Sequence, residues 1–114
     1  MNPAPLIAFL LIPAPALAFA ELDRAVPRVG STIAAAPKTV VLNFSEAPES
    51  ATGEVRDSLG ARVDVGGLKI DRSDRQRGFL TVKSLGPGEY TVRWWAKADD
   101  GDETQGRFLF RVAP

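Results

Sequence analysis

After residue 20, apolar and polar residues alternate with a period of two. In Thr39-Val40-Val41-Leu42-Asn43-Phe44, the side chains of Val40, Leu42 and Phe44 fall on one face. Gly88-Glu89-Tyr90-Thr91-Val92-Arg93-Trp94 places Tyr90, Val92 and Trp94 together and sets Thr91 and Arg93 opposite. Arg107 to Val112 turns Phe108, Phe110 and Val112 inward, and Phe79 to Lys83 does the same with Leu80 and Val82. An opening strand is expected over Leu22 to Arg28, ahead of Gly30-Ser31-Thr32. Glu54-Val55-Arg56-Asp57 and Ala61-Arg62-Val63-Asp64-Val65 flank Ser58-Leu59-Gly60, which reads as a hairpin loop closed by glycine.

Turn-forming clusters separate these runs: Ala47 to Ser50, Gly66-Gly67, Asp71 to Asp74, Gly86-Pro87-Gly88 and Asp99 to Asp102. No segment has helical length with helical period. About seven short strands with turns at short intervals predict an all-β, immunoglobulin-like Greek-key sandwich or barrel. Leu85-Gly86-Pro87-Gly88-Glu89-Tyr90 has the form of a tyrosine corner, in which the tyrosine hydroxyl bonds back to upstream backbone.

The first twenty residues have a different pattern. Met1 to Ala20 carry no Lys, Arg, Asp or Glu. Leu6 to Ile12 form a short apolar core, and Pro13 and Pro15 follow it. Ala16-Leu17-Ala18 and Ala18-Phe19-Ala20 then supply overlapping small-x-small cleavage signals. Residues 1–20 are therefore expected to be a secretory signal peptide. Residues 21–114 are expected to form one exported domain, periplasmic, with no membrane span once the signal is removed, since the apolar run is short for crossing hydrocarbon.

Composition narrows the chemistry. The 114 residues include 14 Lys+Arg, 14 Asp+Glu, no His and no Cys. Balanced charge speaks against a nucleic-acid partner, whose phosphates are held by clustered cations. Without Cys there are no disulfides and no thiolate ligands. Without His the commonest transition-metal ligand and the commonest general base are missing. The single Met is the initiator, so no thioether site is expected in the domain. A Ser–Lys dyad using Lys38, Lys69, Lys83 or Lys97 has no supporting spacing, and no enzyme activity is expected.

Three features invite closer reading. Asp99-Asp100-Gly101-Asp102-Glu103 sets four carboxylates in five residues, which suits either a hard cation or a solvated hairpin tip. Lys69 to Arg77 interleaves Lys69, Arg72, Arg75 and Arg77 with Asp71 and Asp74, the pattern of a mixed-charge exposed loop. Trp95 follows Trp94, so in a regular strand it points outward with Arg93 and Lys97. There it either packs under long basic stems or offers an aromatic contact to a partner.

Taken in order, Leu22 to Thr32, Ala36 to Glu46, Leu85 to Trp94 and Gly106 to Val112 resemble the CopC-like family of periplasmic copper-resistance proteins. The likeness covers nearly all of residues 21–114 and is least clear from Thr52 to Lys83. It implies a seven-stranded Greek-key fold, export, a role in carrying or buffering copper, and a copper-transporting membrane protein as partner. It also implies a Cu(II) site built from an N-terminal His and an Asp-Gly-His loop.

At those positions the chain departs from the pattern. The aligned start falls at Phe19 or Glu21, and the loop reads Asp100-Gly101-Asp102, with Asp102 where the second imidazole belongs. Cupric ion prefers nitrogen donors in a tetragonal array. A site made of the mature α-amine, Glu21, Asp100 and Asp102 is therefore expected to hold copper(II) weakly. The competing expectation is a metal-free, immunoglobulin-like protein-binding module that kept the sandwich, with a surface such as that around Trp95.

Overall fold

The computed structural model describes residues 21–114; the expected signal peptide lies outside the described residues. Eight strands are present: β1 (Leu22–Val26), β2 (Thr32–Ile33), β3 (Thr39–Phe44), β4 (Ser50–Arg56), β5 (Asp64–Ile70), β6 (Arg77–Val82), β7 (Gly88–Lys97) and β8 (Glu103–Val112). They form two four-stranded sheets, ordered β1-β3-β6-β5 and β2-β8-β7-β4. All pairings are antiparallel except the short parallel contact of β2 with β8. The all-β sandwich expected from the alternation is the observed architecture. Seven strands are of ordinary length, and β2 is a two-residue stub.

The alternating residues form the core. Val40, Leu42, Phe44, Val55, Leu80, Val92 and Phe110 are almost wholly buried between the sheets. Burying a side chain of this size contributes on the order of 1.5–3 kcal/mol, and this is the main stabilising term in a chain without disulfides. Phe44 meets Trp94 edge to face at 5.7 Å, joining β3 of one sheet to β7 of the other. Tyr90 stacks on Phe110 at 5.4 Å, and its hydroxyl donates to the Gly86 carbonyl at 2.6 Å. The tyrosine corner is thus present, and it fixes the turn that feeds β7.

Several boundaries differ from expectation. β1 ends at Val26 rather than Arg28, because Pro27 has no N–H to donate to the ladder. β7 runs on to Lys97, and β8 begins at Glu103 rather than Arg107. In this long hairpin Trp94 points inward and is buried, while Trp95 points outward and is half-buried, as alternation requires.

The expected hairpin loop across Ser58-Leu59-Gly60 is present but short: the Asp57 N–H donates to the Ala61 carbonyl, the Val63 N–H to the Val55 carbonyl, and Arg56 and Arg62 form a bridge between them. Asp57 explains the tight loop: its carboxylate accepts the N–H groups of Leu59 and Ala61. Beyond it the chain leaves the β4 sheet, and β5 joins β6 in the other sheet. Gly66-Gly67, expected as a turn, lies inside β5 as a bulge with φ of 82° and 73°, conformations that glycine adopts without the strain of a Cβ.

Candidate functional site

The two sheets approach one another at β4 and β5; on the other side, the start of β1 faces the first residues of β8 across a cleft. Glu21 belongs to this open seam, and Asp100 and Asp102 to the hairpin that joins β7 to β8. Glu21 precedes β1 and is exposed. Its N–H donates to Ser45 Oγ at 3.1 Å, and its carbonyl accepts the Ser45 N–H at 2.7 Å, which pins the start of the domain to the end of β3. Glu21 and Leu22 line a cleft of about 330 Å³ with Trp94, Thr104 and Gln105. The start of the domain therefore shares a cleft with the first residues of β8.

The turn that carries Asp100 and Asp102 is a hairpin tip shaped by its own carboxylate. Asp100 Oδ1 accepts the Asp102 N–H at 3.0 Å, Gly101 donates to the Ala98 carbonyl at 2.9 Å, and Ala98 donates to the Asp102 carbonyl at 2.8 Å. Gly101, with φ of 93°, supplies the left-handed residue that the tip needs. Asp99, Asp100, Asp102 and Glu103 are all exposed. Among the described residues, no three His, Cys, Asp or Glu side chains are grouped closely enough to hold a metal ion. Neither Asp100 nor Asp102 lines the cleft that Glu21 enters. Glu21, Asp100 and Asp102 offer only carboxylate oxygens. Such a set fits cupric ion poorly.

The other features also find places. Trp95 lies on the outer face of β7, and its indole N–H donates to Glu103 Oε1 at 3.1 Å. It borders a groove of about 510 Å³ with Thr52, Glu54, Arg93 and Gln105, over a floor that includes Gly53 and Gly67. The Lys69–Arg77 stretch spans the β5–β6 hairpin. There Asp71 accepts the Ser73 N–H and hydroxyl and the Arg77 guanidinium, which together hold its carboxyl down at about 2.

The residue that the pattern hides is Asp64. Its side chain is fully buried at the β4–β5 seam. Oδ1 accepts the Val55 N–H at 2.9 Å and Arg62 Nε at 3.0 Å, while Oδ2 accepts Arg62 Nη2 at 2.7 Å and the Gly67 N–H at 3.2 Å. Burial pushes this carboxyl up, but the Arg62 guanidinium and the two backbone donors more than offset it and hold it below the usual carboxylate range. Glu54 beside it is also held down, chiefly by Arg56, with burial opposing. The sequence signal was faint: an Asp between two valines reads as the solvent face of a strand, whereas here Asp64 points in and Val65 is exposed.

Comparison with known proteins now identifies the fold. The CopC domain model matches residues 22–113. The chain belongs to the CopC family. It is 32% identical over 98 residues to protein YobA of Escherichia coli K12, covering 83% of this chain and 79% of that protein. The crystal structure of CopC from Methylosinus trichosporium OB3b superposes with a TM-score of 0.75 at 30% identity, covering 83% of this chain and 94% of that one. PcoC, a methionine-rich copper resistance protein from Escherichia coli, superposes with a TM-score of 0.69 at 26% identity, over 84% of this chain and all of that one. CopC-family proteins are non-enzymatic copper-binding proteins, in agreement with the catalytically poor residue set. Among the described residues, no helix is long and apolar enough to cross a membrane.

Proposed function

We propose that residues 21–114 act after export as a periplasmic accessory in copper homeostasis, holding Cu(II) weakly through oxygen donors and handing it to, or receiving it from, a copper-transporting membrane protein. CopC-family membership across the whole described domain carries this reading. The cleft that Glu21 and Leu22 share with Trp94, Thr104 and Gln105 supports it, because it lies at the start of β8, the strand that follows the Asp100–Asp102 hairpin in sequence. Glu21, Asp100, Asp102 and the mature α-amine are the proposed donors. Their weakness is chemical: carboxylates replace imidazoles, and Asp100 already serves its own turn. Signal cleavage after Ala20 is part of the proposal, since it frees the amine.

The test is a calorimetric titration of the chain beginning at Glu21 with Cu(II), paired with electron paramagnetic resonance. The expected result is weak saturable binding with an oxygen-rich spectrum, removed by a strong chelator. Absence of saturable heat at micromolar protein and above refutes copper binding. A nitrogen-rich square-planar spectrum that survives the chelator refutes the assigned donors.

A second reading, a metal-free protein-binding module, is favoured by the outer face of β7 and β8, where Trp95 borders a groove and Arg93 stands directly opposite Arg107.

A further inference from the structure

We propose that the open edge of β8, from Glu103 to Arg107, receives an extended segment of a partner protein in which acidic and apolar residues alternate. The proposal does not depend on copper.

The first observation is how the sheet edges are finished. Exposed strand edges recruit other strands unless bulges, prolines, charges or covering segments block them. β1 carries a bulge between Leu22 and Arg24, and β5 carries one between Val65 and Leu68. β4 is covered where Val63 N–H donates to the Val55 carbonyl and Asp64 accepts the Val55 N–H. From Glu103 to Arg107, β8 has no bulge, no proline and, among the described residues, no covering strand, and only its charged Glu103 and Arg107 guard the edge. It pairs with β7 without interruption from Glu103 to Val112, while β2 covers only its last residues.

The direction of the free groups follows from the bonds that β2 does make. The Leu109 carbonyl accepts the Gly30 N–H, and the Arg111 N–H donates to the Ser31 carbonyl. Backbone groups alternate sides along a strand, so Gln105 and Arg107 also turn their N–H and C=O away from β7. Among the described residues nothing pairs with them there.

The second observation is what flanks this edge. On the outer face, Arg93 and Arg107 are cross-strand partners; Arg93 has Glu54 of β4 opposite it on its other side, whereas Arg107, nearest the open edge, has no carboxylate within ion-pair distance among the described residues. Like charges directly opposite one another destabilise a sheet, and an anion placed beside them removes that cost. On the inner side, Leu22, Trp94 and Thr104 wall the cleft of about 330 Å³. An added strand places successive side chains on alternate faces. Its acidic residues then reach Arg107, and its apolar residues enter the cleft.

The test uses the processed chain in chelator and a short fluorescein-labelled peptide alternating Val and Glu, read by anisotropy at low salt. Saturable binding is expected. It should weaken about tenfold in Arg107→Gln, and with rising salt. The Arg107→Gln chain should melt no lower than the parent, since the repulsion from Arg93 has been removed. A peptide N-methylated along one edge removes the backbone donors while leaving the protein unaltered, and it should not bind. Equal binding of the N-methylated peptide, or of a peptide with Gln in place of Glu, overturns the proposal. No binding of the Val–Glu peptide also overturns it, whatever the copper titration gives.

Discussion

Where β4 meets β5, the two sheets are tied by a buried carboxylate with four hydrogen bonds; where β1 faces β8, they are left apart over a cleft. Both seams are rich in acid. At the first, Asp64 is enclosed, paired with Arg62 and bonded to the backbone of both strands. In the hairpin that leads into the second, Asp100 and Asp102 stay in solvent, and among the described residues Asp100 bonds only within its own turn. Residue type therefore does not decide the role of a carboxylate in this fold. The number of fixed donors around it does. A carboxylate whose acceptor sites are filled by protein serves the structure, whereas one that keeps free lone pairs in water remains available to a ligand.

The tied seam is the place to expect the largest loss. Asp64→Ala strips partners from the Val55 and Gly67 N–H groups and leaves Arg62 unpaired. Each buried donor left unsatisfied costs about 1–3 kcal/mol, so the total should be roughly 3 kcal/mol, measured by denaturant unfolding. Asp64→Asn keeps the shape and some acceptors and should cost less. If both variants match the parent, Asp64 is not the tie described here.

The open seam is expected to respond next, through Gly106. A Cβ at this position would lie 2.9 Å from Trp94 Cζ2 and 3.0 Å from Nε1, because the indole lies across the glycine. Gly106→Ala should force Trp94 toward the cleft at a cost of about 1–3 kcal/mol, with a changed tryptophan emission. Unchanged stability and emission would show that the indole has room to move.

Acid should separate the seams in a third way. Asp64 is held below its unfolded value, so it contributes stability that is complete above the ordinary carboxylate pKa of about 4 and is lost as pH falls through the lower folded value. Asp71 adds to this, its contribution disappearing toward about 2. Unfolding free energy should therefore fall as pH drops below about 4, and the slope should be shallower in Asp64→Asn. Identical slopes in parent and variant would remove Asp64 from the account.

Much of this was legible in the sequence, and the exceptions have physical causes. Period-two alternation identified β3, β6, β7 and β8 and the core face of each, because those strands are half-buried and regular. Tyr90 was readable from Gly86-Pro87-Gly88, a local signal. The β4–β5 crossing was not, because a two-sided turn such as Asp57 to Gly60 closes the same way whether or not strands pair beyond it. Asp64 was hidden because its partners, Val55 N–H and Gly67 N–H, come from another strand and from a bulge that reads as a turn. The order of Asp100, Gly101 and Asp102 could be read directly. That Glu21 shares a cleft with Thr104 and Gln105 depends on how two sheets stack, which no local pattern encodes.

The smallest effect on stability, and the sharpest distinction between the seams, is expected from Asp102→His. Asp102 is exposed, and only its backbone is engaged, donating to Asp100 Oδ1 and accepting from Ala98, so the fold should change by no more than about 0.5 kcal/mol. Copper affinity should change far more. An imidazole offers the nitrogen donor that cupric ion prefers, on the turn that leads into β8. In the chain beginning at Glu21, Cu(II) binding should tighten clearly, and the resonance spectrum should gain nitrogen character. The same substitution placed at Asp64 would be expected to unfold the tied seam rather than create a site. If Asp102→His leaves copper binding unchanged, the start of the domain and the hairpin tip do not cooperate on one ion, and the proposed donors are wrong even though the fold is right.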